Sequence, residues 1–172
     1  MRNQGPLSAL LTLIVFLGCQ PASEGETQEI ASFPVNSWEG VLTPDAVHLD
    51  KEVTSDGNGA IRIEAHEPTV VRLYELADID VENARVSYRA RLRSENLEGQ
   101  AYLEMWCHFG EKGDYFSRGL ADALTGTVEW TSREIPFFLK EGENPDRVTL
   151  NVGIEGRGTV WIDDITLTKE AN

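Results

Sequence analysis

Four side chains able to hold a ligand alternate along the stretch Tyr102–Phe109. Tyr102, Glu104, Trp106 and His108 stand two residues apart, and apolar residues occupy the positions between them. Successive side chains of a β-strand point to opposite faces, so the pattern predicts a strand with one wet face and one dry face. The wet face combines two ionisable groups with two amphipathic aromatic rings. The residues expected to join the core are Leu103, Met105, Cys107 and Phe109.

The preceding segment, Arg85–Arg93, supplies cations. Its apolar and polar residues alternate strictly, which predicts a strand, because a helical period would scatter its arginines around the axis. The link to the next strand is short, about six residues, which predicts that the two strands form an antiparallel pair or are at least near neighbours. Arg89 and Arg91 are therefore expected beside Glu104 and Trp106.

Together these side chains favour a sugar ligand. Tyr102 and Trp106 can stack on the apolar face of a sugar ring, while Glu104, His108 and the arginines hydrogen-bond its hydroxyls. A structural interpretation competes with this one. Arginine and glutamate on neighbouring strands form routine ion pairs, and the long segment 110–126 then covers Trp106.

Catalysis finds little support in the sequence. The three histidines are scattered, and no nucleophile elbow, phosphate loop or dinucleotide fingerprint is present. Cys107 and His108 are neighbours in a strand and face opposite ways, so they do not share a substrate or an ion. The remaining catalytic alternative is a carboxylate pair in a cleft, Glu104 with Asp114 or Glu129. We expect a protein that is not an enzyme, with Cys107 buried as a small apolar residue.

Short strands separated by turns fill the chain from about residue 37 onward. Further candidate strands are 46–50, 60–65, 70–76, 128–133, 135–139, 147–154 and 159–168. Glycines at 57 and 59 mark a tight turn, and strand–helix alternation is missing. The sequence therefore predicts an all-β domain over residues 37–169, built as a two-sheet antiparallel β-sandwich.

The first residues are typical of a targeting segment. A positive residue, Arg2, precedes an apolar run over 7–17 that is short for a membrane span. The run ends in Phe16-Leu17-Gly18-Cys19, which resembles the lipobox of bacterial lipoproteins. The resemblance implies a signal peptide over 1–18, lipidation of Cys19 and a membrane anchor. An ordinary signal peptide cut nearby is the alternative.

A tether is expected between this segment and the domain. Residues 19–36 are small, polar and acidic, with little periodicity. By analogy with Gram-negative lipoproteins, the absence of aspartate after Cys19 implies the cell envelope, at the outer membrane.

The charge of the chain restricts its partners. The formal net charge is −14, which repels phosphate backbones and anionic lipid headgroups. We therefore expect no nucleic-acid partner, and membrane contact through the lipid anchor alone.

The end of the sequence carries a family resemblance. Gly156-Arg157-Gly158 is followed by Val160-Trp161-Ile162 and by Asp163-Asp164-Ile165-Thr166-Leu167. This run resembles the last strand of galactose-binding-like and carbohydrate-binding-module jelly rolls, and the likeness extends loosely over 61–167. The resemblance implies a jelly-roll fold. Many members bind sugars on loops or on a concave sheet, whereas others are interaction or spacer modules, so the fold leaves the ligand open.

The same resemblance implies a structural calcium ion that ties an early loop to the last strand. The matching positions are Asp56, Asn58 and Asp163, whose oxygens suit a hard cation. A metal-free Asp-Gly-Asn-Gly turn is the alternative.

The sequence therefore favours a membrane-anchored, non-catalytic binding module of the cell envelope, and its predicted ligand is a carbohydrate or an envelope glycoconjugate. A structural or protein-interaction lipoprotein that binds an envelope protein and no small molecule is the alternative. The residues predicted to bind the ligand are Arg89, Arg91, Tyr102, Glu104, Trp106 and His108.

Overall fold

Turns rich in glycine and polar residues divide the described part of the chain, residues 26–37 and 39–171, into eight strands. The computed structural model places the strands at Gln28–Phe33 (β1), His48–Asp50 (β2), Ala60–Ala65 (β3), Thr69–Ala77 (β4), Ala84–His108 (β5), Asp114–Arg118 (β6), Leu124–Phe138 (β7) and Arg147–Ala171 (β8). Three short 3-10 helices lie at Pro44–Ala46, Gly110–Lys112 and Leu120–Asp122. None of the helices among these residues is long or apolar enough to cross a bilayer.

Two strands of 25 residues each, β5 and β8, form the centre of the fold. They pair antiparallel from Ala84 opposite Ala171 to His108 opposite Arg147. The ribbon has two arms. The first arm contains residues 84–95 of β5 and 159–171 of β8, and the second contains residues 98–108 and 147–157.

The arms meet at a corner where Gly99 lies opposite Gly156. A Cβ on either glycine would lie 1.9 Å from a carbonyl oxygen of the other strand, so the backbones approach too closely for any side chain. The register shifts beside this corner, between Glu95 and Glu98, and Asn96 takes a left-handed φ of 51°. The inward side of β5 changes there from even to odd residues, because a bulge adds one residue to the alternation.

Shorter strands extend both arms into layers. In the first arm, β7 pairs with β5, while β3 and β1 pair with β8 and β2 adds to β3. In the second arm, β6 pairs with β5 and β4 pairs with β8. β5 and β8 join all eight strands into one continuous antiparallel sheet. The apolar faces of both arms belong to a single buried cluster, so this sheet folds over on itself into the two layers of a β-sandwich.

The predicted inward rows are confirmed by burial. In β5, Val86, Tyr88, Ala90 and Leu92 are fully buried, and so is Met105 in the second arm. The odd residues Leu103 and Cys107 and the even residues of β8 from 148 to 154 are buried as well. Alternation alone was sufficient to orient these residues, because one face of each layer is dry.

Two predictions differ from the structure: the pairing of two strands and the end of the tether. The strands around Arg89 and Trp106 were expected to pair with each other, and this expectation is wrong: both belong to β5, and each pairs with β8. Residues 28–33, placed in the tether by composition, form β1 on the edge of β8. Its Phe33 stacks on Tyr74 with ring centroids 3.9 Å apart, which explains why this polar segment is ordered. Cys19 and the signal segment lie outside the described residues.

Candidate functional site

A cavity of about 380 Å³ opens on the outer face of the second arm. Its walls come from four adjacent strands, β4, β8, β5 and β6. The lining residues are Val70, Arg72, Glu75, Glu104, Trp106, His108, Arg118, Arg147, Thr149 and Asn151. Three of the predicted ligand-binding residues, Glu104, Trp106 and His108, therefore share one concave surface.

Glu104 forms the floor of the cavity. Its side chain is 1% exposed, and both carboxylate oxygens accept hydrogen bonds. Oε1 accepts from Trp106 Nε1 at 2.7 Å and from Asn151 Nδ2 at 3.2 Å, and Oε2 accepts from Arg118 Nε. A buried charge requires such a set of donors, because desolvation alone would expel it. The hydrogen bond from Arg118 to Glu104 raises the pKa of the guanidinium, which stays charged.

Trp106 presents an aromatic wall that is half-buried. Phe116 lies opposite it on β6, and the two ring centroids are 4.9 Å apart at an interplanar angle of 43°. The segment after β5 was expected to be a long loop that could cover Trp106. Part of it is β6, which lies beside β5 in the sheet, so the tryptophan is flanked and still lines the cavity. Its Nε1 bond to Glu104 fixes the orientation of the indole.

His108 closes one end of the cavity. Its Nε2 lies 3.0 Å from Thr149 Oγ1, and its Nδ1 lies 2.9 Å from Asp114 Oδ1. The imidazole is thus held between two strands. Thr149 and Asn151 come from β8, where the outward residues alternate with the buried apolar row.

Tyr102 shares the outer face but lies outside the cavity. Its ring packs over Gly153, where a Cβ would lie 2.5 Å from the ring, and it is only 4% exposed. Its hydroxyl donates to Glu155 Oε1 at 3.1 Å. Burial, and next the bond to Glu155, raise the pKa of the phenol. The ring therefore supports the sheet and offers no open stacking surface.

Arg89 and Arg91 lie in the other arm, away from this cavity. Arg89 Nη2 pairs with Glu134 Oε2 of β7 at 2.9 Å, and Arg91 Nη1 donates to the carbonyl of Ser55 at 3.4 Å. Their expected position beside Trp106 is wrong because β5 bends at Gly99 and carries them to the first arm. Their role in ligand binding remains a prediction.

The residues matched to a calcium site make separate contacts. Asp56 accepts from the backbone N–H of Asn58 at 2.8 Å and from its Nδ2 at 2.6 Å, at an exposed turn. Asp163 is fully buried and accepts from the N–H of Ser55 at 3.0 Å, so the early loop is joined to β8 by a direct hydrogen bond. Within residues 26–37 and 39–171, no three His, Cys, Asp or Glu side chains converge as a metal-ligand group. The calcium ion remains a prediction.

The groups proposed for catalysis are also separated. Cys107 is buried on the inner face, and burial raises the pKa of its thiol to about 12. Glu129 pairs with Arg93 in the first arm, at 3.4 Å. Asp114 is engaged with His108. The carboxylate on the floor of the cavity is that of Glu104. Both of its oxygens accept hydrogen bonds from protein donors, so it holds the neighbouring side chains in position.

Several lining residues were absent from the sequence prediction. Arg147, Thr149 and Asn151 could have been found, since they are the outward positions of a strand whose inward positions were predicted. Arg118 could not have been found in this way, because its segment is predicted as a loop. Arg72 and Glu75 share the cavity because an irregularity between Arg72 and Tyr74 changes the alternation of β4.

Solved structures share this architecture at low sequence identity. The CBM22-1 xylan-binding domain of Xyn10C from Paenibacillus barcinonensis aligns with a TM-score of 0.58 and 12% identity, over 88% of this chain and 99% of that one. A family 16 carbohydrate-binding module aligns with a TM-score of 0.53 and 14% identity, over 71% of this chain and 84% of that one. A Stig cyclase from Fischerella sp. TAU aligns with a TM-score of 0.53 and 11% identity, over 77% of this chain and 89% of that one.

These comparisons define the class of fold: a β-sandwich of the kind found in carbohydrate-binding modules. No protein-family model and no curated protein matches the sequence. Since a binding module and a cyclase share the architecture, the fold alone does not determine the function.

Proposed function

We propose that this protein is a non-catalytic carbohydrate-binding module whose ligand occupies the cavity of the second arm. The observation that carries the proposal is the combination of Trp106 with oriented polar groups in one concave surface. An indole held by Glu104 offers a rigid apolar wall for a sugar ring. Thr149, Asn151 and the arginines around it supply hydrogen-bonding groups for hydroxyls. The fold of the structural neighbours supports this assignment.

A glycan array tests the proposal, with the wild-type protein and Trp106→Ala compared on the same glycans. We expect binding to at least one glycan and a loss of about two- to tenfold in the variant, since aromatic stacking contributes about 0.5–1.5 kcal/mol beyond area burial. The matched control is Phe138→Ala, because Phe138 is 65% exposed and lies outside this cavity. Unchanged binding in Trp106→Ala would place the ligand elsewhere.

We also propose that the protein is a lipoprotein of the cell envelope, anchored through Cys19 at the outer membrane. The lipobox resemblance and the polar segment after it support this proposal. The test is fractionation of cells that express the wild-type protein or Cys19→Ser. We expect the wild-type protein in the membrane fraction and the variant in the soluble fraction. A membrane-bound variant contradicts lipid anchoring.

A second surface favours a protein partner as the alternative function. Tyr115 and Phe138 are more than half exposed and border a groove with Phe109, Phe137 and two lysines, 112 and 140. Exposed aromatic patches of this kind mark interaction sites. If no glycan binds, the interaction function becomes the stronger candidate, and Phe138→Ala becomes the informative variant.

A further inference from the structure

The cavity is cationic in a strongly acidic protein. The chain carries a net charge of −14, yet three arginines, Arg72, Arg118 and Arg147, line the cavity against two glutamates. A local excess of positive charge on such a surface attracts anions selectively, because the rest of the molecule repels them.

Glu104 neutralises part of this charge as the counterion of Arg118, but its oxygens are not available to a ligand. Its carboxylate is buried, and its two oxygens are occupied by Trp106, Asn151 and Arg118. The carboxylate that faces the opening is therefore that of Glu75, whose Oε2 lies 3.5 Å from Arg147 Nε.

The arginines retain donors for a ligand. Arg118 uses Nε for Glu104, and neither of its terminal Nη groups has a hydrogen-bond partner among the described residues. Arg72 is exposed, and its guanidinium makes no ion pair or hydrogen bond with any other residue that the structure describes. Planar guanidinium groups with free N–H pairs match the two oxygens of a carboxylate, which a neutral sugar does not supply.

The floor requires a different kind of partner. Asn151 is 3% exposed, and its Oδ1 has no hydrogen-bond partner in the described part of the chain. A buried acceptor without a donor is costly, so the occupant of the cavity is expected to donate a hydrogen bond to it, as a hydroxyl does. The ligand thus needs a hydroxyl, an apolar ring face for Trp106 and an anionic group for the arginines.

We propose that the cavity binds a uronic acid residue of an acidic glycan, with the sugar carboxylate on Arg72 and Arg118 and a ring hydroxyl on Asn151. This inference rests on the proposed function and names the class of its ligand. Both arginines lie on edge strands, β4 and β6, on either side of the central pair. They are therefore placed to hold the ligand from opposite walls.

The test compares each polysaccharide with its own neutral form. Polygalacturonate, alginate and a glucuronic-acid-bearing xylan are assayed by affinity electrophoresis before and after chemical reduction of their carboxyl groups to primary alcohols. We expect at least one acidic polymer to bind, and its reduced form to bind about tenfold more weakly. Binding is also expected to weaken as NaCl rises from 0.05 to 0.5 M, because salt screens exposed charges.

The outcomes separate this inference from the proposed function. Equal binding of the acidic and reduced forms, or binding of neutral glycans alone, overturns the uronate inference and leaves carbohydrate binding intact. Binding of dextran sulfate as tightly as of the uronates overturns the choice of a carboxylate. Failure to bind any glycan overturns both proposals.

Arg72→Ala is the informative variant, since Arg72 is exposed and its removal leaves the core unchanged. We expect about tenfold weaker binding to the acidic polymer and a smaller loss toward any neutral glycan that binds, because a hydroxyl is a weaker partner for the guanidinium than a carboxylate is. The matched control is Arg157→Ala, which changes the net charge equally at a residue whose side chain is 68% exposed and pairs with Glu98 near the corner. If both variants weaken binding equally, the effect is one of net charge, and the assignment to Arg72 is wrong.

Discussion

At the scale of single residues, Glu104 is the group on which the cavity depends. It accepts from three donors on β5, β6 and β8, so one carboxylate fixes the positions of Trp106, Arg118 and Asn151. A carboxylate in such a place is costly to bury unless both oxygens have donors, and both oxygens of Glu104 have them. The shape of the cavity is thus linked to the charge of one buried side chain.

We predict that Glu104→Ala lowers the free energy of unfolding by about 2–3 kcal/mol, because it leaves buried donors of Trp106 and Asn151 unpaired and Arg118 without its counterion. Urea denaturation monitored by tryptophan fluorescence measures the loss. The control is Glu134→Ala, whose carboxylate pairs with Arg85 and Arg89 at the surface and is expected to contribute less than about 1 kcal/mol. Equal losses in the two variants would show that the network beneath the cavity stabilises the fold no more than a surface ion pair does.

The buried Asp163 adds a dependence on pH. Burial raises the pKa of its carboxyl, and the hydrogen bonds from Ser55 and Asp164 only partly oppose that effect. The folded protein therefore holds this proton to higher pH than the unfolded chain, in which aspartate titrates near about 3.9. The contribution of Asp163 to stability is complete below that pKa and is lost as pH rises through the folded value.

We predict that, in the presence of a chelator, the unfolding free energy of Asp163→Asn rises relative to wild type as pH increases from about 4 toward 7. Urea titrations at several pH values measure this difference between the proteins. A difference that stays constant across the range contradicts a raised pKa in the folded state.

At the scale of elements, the corner between the arms is set by backbone contact. Gly99 has a φ of +118°, and a Cβ there would lie 1.9 Å from the carbonyl oxygen of Glu155. No side-chain movement relieves that contact, since both partners belong to the backbone. The angle between the two arms, and with it the sandwich, requires glycine at this place.

We predict that Gly99→Ala destabilises the protein by about 3 kcal/mol, the sum of a left-handed backbone and an unavoidable overlap. The matched control is Gly142→Ala, at a φ of +75° with no atom within 4 Å of its Cβ, where only the backbone term of about 1 kcal/mol applies. Thermal unfolding of the two variants gives the comparison. A Gly99 variant as stable as the Gly142 variant contradicts a closely packed corner.

The early loop and the last strand form the other element-scale junction. Ser55 donates its N–H to Asp163 and its hydroxyl to Asp164 at 2.7 Å, and Asp164 itself has a left-handed φ of 49°. This is the place where the family resemblance implies calcium. Two neighbouring carboxylates against a loop offer oxygen ligands, although Asp56 and Asn58 bond each other.

We predict that calcium raises the melting temperature after chelator treatment, since a ligand that binds only the folded state stabilises it. Differential scanning calorimetry with EDTA and then with excess CaCl₂ measures the shift, and Asp163→Asn is the variant expected to lose it. An unchanged melting temperature in the wild-type protein means that hydrogen bonds alone hold this junction.

Elements were predictable from sequence where alternation was regular and one face was dry, as in β3 and in both halves of β5. The way in which the two halves of β5 are joined was not predictable. A chain that turns back after Arg93 and a chain that continues through a bulge at Asn96 have the same pattern of residues. The two possibilities differ only in backbone geometry, which sets Arg89 and Trp106 on separate arms. Trp106 and His108 were located by periodicity, whereas Arg72 and Arg118 came from strands on the far sides of the cavity.

At the scale of the whole molecule, the arginine-lined cavity contrasts with the negative charge of the rest of the chain. The chain carries a formal net charge of −14, whereas the cavity on one outer face is lined by three arginines and two glutamates. All the lining residues of the cavity belong to the second arm, so the proposed ligand would contact that arm alone. Binding is therefore expected to leave the relation between the layers unchanged.

The central position of β8 determines when the protein can fold during its synthesis. A ribosome delivers residues in order, and β1, β3, β4 and β5 all pair with a strand that begins at Arg147. A nascent chain that ends before this point lacks the partner of four strands and cannot close the core. Folding must then await the last segment, so a chain stalled at residue 146 is expected to be digested by protease as readily as an unfolded polypeptide.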